Sequence, residues 1–379
     1  MKKNLFIAQP VLGEEEWNAV REPIESGWVT QGPKVGEFEK LFGERHQVKH
    51  SLACTSATTA LHLALVALGV GKGDEVLVPS FTWVASANVV IYCGAKPVLV
   101  DIDLKSFNID ASDLARKVTS NTKAIIAVHL FGLCADMDAI REAAPGIPIV
   151  EDAACASGAA YKGIPAGGLG DIGCFSFHPR KSITTGEGGM VTTNNDAHGD
   201  LINMLRNHGA SISEEQRHHG PKPFILPDFN ILGFNYRMTD IQGAVGVVQM
   251  AKLDRLITER HSAALAYNKA LSSIDWIQTP EINDDYKHGW QSYILLIDES
   301  KAPMTRNEMM EKLQEQGVST RPGTHAVHML GYYAKKYGYL PEDLPNAKIA
   351  NDTAMAIPFH NRMSAEDYEY VVESIKSLS

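Results

Sequence analysis

The residues best suited to covalent chemistry lie in one stretch, Asp171-Ile-Gly-Cys-Phe-Ser-Phe-His178-Pro-Arg-Lys181-Ser-Ile-Thr-Thr-Gly186-Glu-Gly-Gly189-Met-Val-Thr-Thr-Asn. An apolar run ends in a serine and a histidine, a lysine follows, and a glycine cluster leads into a second β-branched run. That order predicts a strand, a tight loop and a strand. Glycines at such a loop let backbone and ligand approach closely. Lys181 is therefore a candidate Schiff-base lysine, an amine activated by its surroundings. The competing reading is a solvated loop lysine, as most lysines are. The choice turns on whether other parts of the chain anchor the group such a lysine would hold.

The elements that must position those anchors alternate regularly. Apolar, β-branched runs occur at Ser51–Cys54, Glu75–Val78, Pro97–Ile102, Ala124–Leu130, Ile147–Val150, Ile172–Phe177 and Gly189–Thr193, with helical patterns such as Ala60–Ala67 and Ala85–Tyr92 between them. This alternation implies an α/β domain with a largely parallel sheet covered on both faces. Ligands on such sheets gather at the carboxyl ends of the strands.

The first strand gives way to Thr55-Ser56-Ala57-Thr58-Thr59 and an apolar helix. Small hydroxyl residues at a helix N-terminus make a phosphate cradle or an ordinary N-cap. The second strand ends in Trp83, which can stack on a heteroaromatic ring or pack in the core. The fifth runs into Glu151 and Asp152. A buried acid there needs compensation: Asp152 can pair with a protonated ring nitrogen, or serve as a cap or a structural ion pair. With the hydroxyl of Ser176 and the amine of Lys181, these parts match the phosphate, ring face, ring nitrogen and aldehyde of pyridoxal 5′-phosphate. A free lysine is charged at neutral pH, so the site has to favour its neutral form by desolvation or nearby positive charge.

Other motifs read differently. Asp101 and Asp103 suit capping or turns better than a metal. Gly168-Leu-Gly170-Asp-Ile-Gly173 has the letters of a dinucleotide loop but precedes a strand instead of opening a helix, so that function is rejected. The groups His208, His218, His219 and His325, His328 lack cysteine or acidic companions, and read as loop or substrate-contact histidines, with no metal site.

The chain of 379 residues predicts one large and one smaller domain, divided as residues 1–250 and 251–379. The smaller one is expected to be α+β, with helices at Arg306–Gln316 and Ala365–Ser377 and strands at Tyr293–Ile297 and Thr353–Ile357. Glu14–Ser26 reads as one acidic amphipathic helix, Val35–Phe42 as a second, and Met238–Glu259 as a helix at the domain junction and dimer contact. The five cysteines are scattered and read as reduced core residues. A formal net charge of −10 argues against nucleic-acid or anionic-membrane surfaces, although a local basic pocket could hold a phosphorylated ligand. Apolar runs stay short of the roughly 18 residues of a membrane span. The first residues are broken by Gln9 and Pro10 too soon for a signal peptide, so a cytoplasmic location is expected.

The motifs Thr55-Ser-Ala-Thr-Thr-Ala-Leu-His62, Gly73-Asp-Glu-Val-Leu-Val-Pro-Ser-Phe-Thr-Trp83, Val128-His-Leu-Phe-Gly132, Glu151-Asp-Ala-Ala154, Phe175-Ser-Phe-His-Pro-Arg-Lys181, Gly186-Glu-Gly-Gly189, Arg206-Asn-His-Gly209 and Gly233-Phe-Asn-Tyr-Arg-Met238 occur in this order along the chain. Together they resemble the DegT/StrS family of pyridoxal phosphate-dependent nucleotide-sugar aminotransferases. The resemblance implies a type I aminotransferase fold, with a mixed, mostly parallel seven-stranded sheet, a smaller C-terminal α+β domain, and a homodimer with shared active sites. It implies that Ala57 and Thr58, with Ser56 beside them, hold the phosphate and that Ser176 adds a contact. It also implies that Trp83 covers the ring, Asp152 meets the pyridine nitrogen, Lys181 binds the aldehyde carbon, and Asn235 reaches the neighbouring subunit's phosphate.

His328 and Arg321 are read as contacts to donor or sugar. The implied reaction moves the amino group of L-glutamate to a nucleotide-linked keto-deoxy sugar, with C4 favoured over C3, for a surface polysaccharide such as O-antigen or for a glycosylated metabolite. Sugar dehydration with the same cofactor is disfavoured because those relatives replace the lysine with histidine, and a non-catalytic regulatory relative because Lys181 and Asp152 are both retained. Two features depart from the family pattern. Cys155 stands where many relatives carry Gln or His, and the Ser211–Asn230 segment, expected to shape the sugar or nucleotide pocket, is irregular.

Overall fold

The computed structural model describes residues 4–212, 224–281 and 283–378. Its central sheet contains β1 (His50–Cys54), β2 (Glu75–Pro79), β3 (Lys96–Val100), β4 (Thr122–Val128), β5 (Ile149–Asp152), β6 (Ile172–Ser176) and β7 (Gly189–Thr193). Their spatial order is β1-β7-β6-β5-β4-β2-β3. β7 runs antiparallel to both neighbours and the remaining pairs are parallel, so the sheet is mixed and mostly parallel, as expected. Near-continuous burial of Val76–Val78, Ala124–Ala127 and Ile172–Phe175 reflects helical cover on both faces. One core packs around Leu61, Leu63, Val78 and Ile126, and the other around Phe38, Phe42, Phe175 and Phe177.

The smaller lobe is built on an antiparallel four-stranded sheet of Ile277–Gln278, Tyr293–Ile297, Ala354–Ile357 and Arg321–Pro322. Its core holds Tyr267, Trp290, Tyr293 and Phe359. A short ladder pairs His325–Ala326 of this lobe with Phe81–Thr82 just beyond β2, which carries the lobe onto the rim of the large sheet. The helix Asp240–Leu271 runs unbroken across position 250, and Tyr267 and Leu271 at its far end enter the smaller lobe's core. It is longer than the predicted Met238–Glu259, and its start is fixed by Thr239, which forms a capping box with Gln242.

The predicted Glu14–Ser26 helix is two helices, Glu14–Ala19 and Arg21–Ser26, broken at Val20. Pro23 accounts for the break, because it lacks the N–H that a continuous helix would donate to Ala19. Asp240 carries a second duty. Its buried carboxylate accepts the N–H groups of Gly32, Lys34 and Val35 at 2.9, 3.1 and 2.9 Å, capping the helix Pro33–His46. Asp101 likewise accepts from Asn346 and Ala347 at the start of the helix Pro345–Thr353, which is capping duty. The five cysteines are free thiols.

Burial makes the fold sensitive to acid. The ring of His46 is pushed down to about 4, that of His288 to about 3 and that of His360 to about 4, each chiefly by desolvation. The unfolded chain binds protons at these rings near pH 6.5 and the folded chain does not, so unfolding takes up protons below that value. The urea midpoint should be flat with respect to these rings above pH 6.5 and fall steadily between pH 6.5 and 4. The loss is on the order of several kcal/mol. A midpoint that rises or stays level over that window would contradict the assignment.

Candidate active site

The carboxyl ends of β1, β2, β5 and β6 open on one cavity of about 550 Å³, within the roughly 300–1,000 Å³ typical of ligand sites. It is lined by Ser56, Ala57, Thr58, Trp83, Asp152, Ser176 and Lys181, so seven of the residues singled out from the sequence converge there. Arg321 lines it from the smaller lobe.

At the cradle, Ser56 is the N-cap of the helix Ala57–Ala67. Its Oγ accepts the Thr59 N–H at 3.2 Å, and Thr59 Oγ1 accepts the Ser56 N–H at 3.0 Å. The capping duty considered for Ser56 is thus real, and its hydroxyl is committed to it. The N–H groups of Ala57 and Thr58 lie in the first turn, where no intrahelical acceptor exists, and they face an anion-favouring dipole end. Gly189 at the start of β7 permits this arrangement, since a Cβ there would stand 2.4 Å from the Ser56 carbonyl.

β5 separates its two acids by the strand's own alternation. Glu151 turns away from the cavity and is fully buried. It accepts the N–H groups of Gly167, Leu169 and Gly170 at 2.7, 2.8 and 2.6 Å and contacts His129 Nε2 at 2.9 Å. The glycine-rich segment that mimics a dinucleotide loop therefore wraps a carboxylate of its own chain. Asp152 turns into the cavity and is 6% exposed. Ser86 donates to its Oδ2 at 2.7 Å, and the Ala154 N–H reaches Oδ1 at 3.2 Å. Two hydrogen bonds leave lone pairs of this carboxylate open to the cavity. Ser86 was not foreseen from the sequence; the signal was a small hydroxyl residue in the first turn of a helix that starts at the same rim.

Lys181 sits in the loop between β6 and β7. The loop is closed by Thr184 Oγ1 donating to the Phe177 carbonyl at 2.7 Å and by the Phe177 N–H on the Gly188 carbonyl at 2.9 Å. Gly188 has φ of 156° and no room for a Cβ, which would lie 2.4 Å from Thr185 Oγ1. Lys181 is half-buried, and its Nζ contacts Cys155 Sγ at 3.2 Å. His178 also lines the cavity. Its Nδ1 accepts the Arg180 N–H at 3.2 Å, so the neutral ring carries its proton on Nε2. Burial holds the ring below its ordinary value; Glu187 opposes this shift, while Arg180 and Lys181 reinforce it.

Trp83 is 57% exposed, so its ring is available at the cavity mouth and is not core packing. His325 stands beside it with ring centroids 5.8 Å apart. His328, proposed as a substrate contact, is corrected: it lies outside the cavity and is fully buried, with Nδ1 2.7 Å from Ser80 Oγ and Nε2 3.1 Å from the Pro341 carbonyl. The turn at Val327–Met329 points it inward, and His325 occupies the cavity wall instead. Asn235 is exposed on the segment after Leu232, also outside this cavity. Of the irregular Ser211–Asn230 stretch, residues 213–223, including His218 and His219, lie outside the described residues.

The donor set fits pyridoxal phosphate: a helix N-terminus and a serine for the phosphate, a buried carboxylate with open lone pairs for a ring cation, an exposed indole for the ring face, and an amine. Fold and side chains together define a pyridoxal phosphate-dependent aminotransferase. Residues 10–376 match the DegT/DnrJ/EryC1/StrS aminotransferase family, and the chain belongs to it as a sugar aminotransferase. It is 38% identical to the spore coat polysaccharide biosynthesis protein SpsC of Bacillus subtilis over 100% of this chain and 98% of that one. It is 39% identical to the GDP-perosamine synthase of Caulobacter vibrioides over 99% and 98%. Among solved structures, Spr1654 of Streptococcus pneumoniae in its PMP-form superposes with a TM-score of 0.92 at 29% identity, covering 99% of both chains. Among the described residues, no helix is long and apolar enough to cross a membrane.

Proposed function

We propose that this enzyme transfers the amino group of L-glutamate to a nucleotide-linked keto-deoxy sugar, with the 4-keto position favoured. The observation that carries the reading is the convergence of the Ala57–Thr58 cradle, Asp152 and Lys181 on one cavity whose lining also holds Arg180 and Arg321. When bound, pyridoxal phosphate supplies an electrophilic carbon for nitrogen and a ring that accepts electrons from the neighbouring carbon. Asp152 holds its carboxylate, fixed by Ser86, where it stabilises positive charge on a ring nitrogen. The Nζ of Lys181, once free, takes a proton from carbon on one side of the reaction and returns it on the other.

The acceptor class follows from charge. The chain is net −10, yet Arg180 and Arg321 line the mouth with no side-chain partner in the described hydrogen bonds and ion pairs. Two unpaired guanidinium groups beside an exposed Trp83 suit a substrate carrying a diphosphate. The 39% identity to a GDP-perosamine synthase supports the 4-keto preference. The test is to supply L-glutamate with nucleotide-linked 4-keto and 3-keto sugars and identify products by mass spectrometry and NMR. Absence of an amino sugar from every acceptor would overturn the reading, and amination of 3-keto sugars alone would overturn the positional preference.

The active unit is proposed to be a homodimer in which Asn235 completes the partner's phosphate site. Support comes from its exposure and from the preceding stretch of chain, where Phe224, Leu226, Phe229 and Leu232 are 79, 77, 60 and 88% exposed and suit burial against a second copy. Lys181→Ala and Asn235→Ala homodimers should each be impaired. Mixing and re-equilibrating them should create heterodimers with one site intact in both residues, so activity should rise well above either parent. No recovery from a mixture shown to exchange subunits would place Asn235 in its own protomer's chemistry or in none.

A further inference from the structure

In the cavity the Asp152 carboxylate and the Lys181 amine have different partners. Asp152 is engaged by Ser86 and the Ala154 N–H, and among the described residues the side-chain hydrogen bond of Lys181 Nζ is to Cys155 Sγ, at 3.2 Å. Cys155 lies three residues beyond Asp152, where β5 ends, and it is the one cysteine lining this cavity. A thiol is a weak donor and a weak acceptor. It can direct an amine without holding it as a cation. A carboxylate at the same distance would favour the ammonium by about one to three pH units. The titratable or charged groups that share the cavity are Asp152, His178, Arg180, Glu187, Arg321 and His325.

We propose that Cys155 is a positioning residue for Lys181: its thiol sets the direction of the free amine toward the reacting carbon while leaving Nζ able to shed its proton. The proposal rests on the reading of Lys181 as the reacting amine. A carboxylate at this point would hold the lysine as a cation between the two halves of the reaction, whereas a thiol is a weaker partner.

The experiment follows recapture of pyridoxal phosphate by the stripped full-length protein. The rate at which the coloured lysine adduct appears is measured from pH 6 to 10 for the wild type, Cys155→Ser, Cys155→Ala and Cys155→Asp. Serine, which keeps a hydroxyl partner, should stay within about threefold of the wild type, and alanine should recapture about tenfold more slowly. Aspartate should move the midpoint of the pH–rate profile upward by about one to three units. A change in packing alone would leave that midpoint in place. Coincident profiles for wild type and aspartate variant, or an alanine variant as fast as wild type, overturn the proposal. If the aspartate variant does not fold, the alanine and serine pair decides. A wild-type protein that forms no coloured adduct overturns the Lys181 reading itself, which separates the two failures.

Discussion

Lys181→Ala should yield a folded protein that forms no coloured adduct with pyridoxal phosphate and whose transamination falls by roughly 10⁴-fold or more. Two losses combine in that figure: the nucleophilic amine that would hold the cofactor covalently, and the proton carrier, which alone contributes about 10²–10⁴-fold. The fold should survive because the loop is closed by other groups, the Thr184 hydroxyl and the Phe177 and Gly188 backbone, and not by the amine. Unchanged circular dichroism with absent colour is the expected pair of results. An added small amine should restore part of the rate by entering the space the side chain leaves. A variant that retains activity within tenfold of the wild type would remove Lys181 from the chemistry.

Much of this arrangement was legible before the structure, because parallel α/β sheets announce themselves through repeated apolar runs. β7 matched its predicted span, and the other six strands shifted by one or two residues at their ends. The positions that carry strong local chemistry also emerged: a lysine between an apolar run and glycines, hydroxyls at a helix start, acids at a strand end. What stayed hidden depends on orientation. Sequence places His325 and His328 three residues apart on one turn and cannot say which faces the cavity; the hydrogen bonds to Ser80 and Pro341 decide that. Ser86 looked like an ordinary helix residue because its partner is 66 positions away. Strand alternation, by contrast, is legible in the sequence: consecutive residues of one strand cannot both face the same side, so either Glu151 or Asp152 has to serve the interior.

That division yields the last expected result, a pair of neighbouring substitutions with opposite consequences. Asp152→Asn keeps the shape of the side chain and a carbonyl oxygen able to accept the Ser86 hydroxyl, but removes the negative charge facing the cavity. An amide stabilises a neutral ring nitrogen instead of a protonated one, so the electron-accepting character of the bound ring is lost. Turnover should fall by roughly 10³-fold, the scale on which removal of one preorganised electrostatic partner acts, while colour with pyridoxal phosphate stays close to wild type and thermal stability falls only by the cost of the one Ala154 N–H left without its acceptor. Glu151→Gln should do the reverse. Its carboxylate accepts three backbone N–H groups and faces His129 in a fully buried pocket. A side-chain amide supplies one acceptor oxygen and an NH₂ that cannot accept those donors, at a cost of about 1–3 kcal/mol for each donor left unsatisfied. The melting temperature should drop markedly, while the turnover of the protein that remains folded falls far less than in the Asp152 variant. Measuring both properties on both variants is decisive, since equal kinetic losses would mean that the two acids act as one unit and that Asp152 has no separate role at the ring.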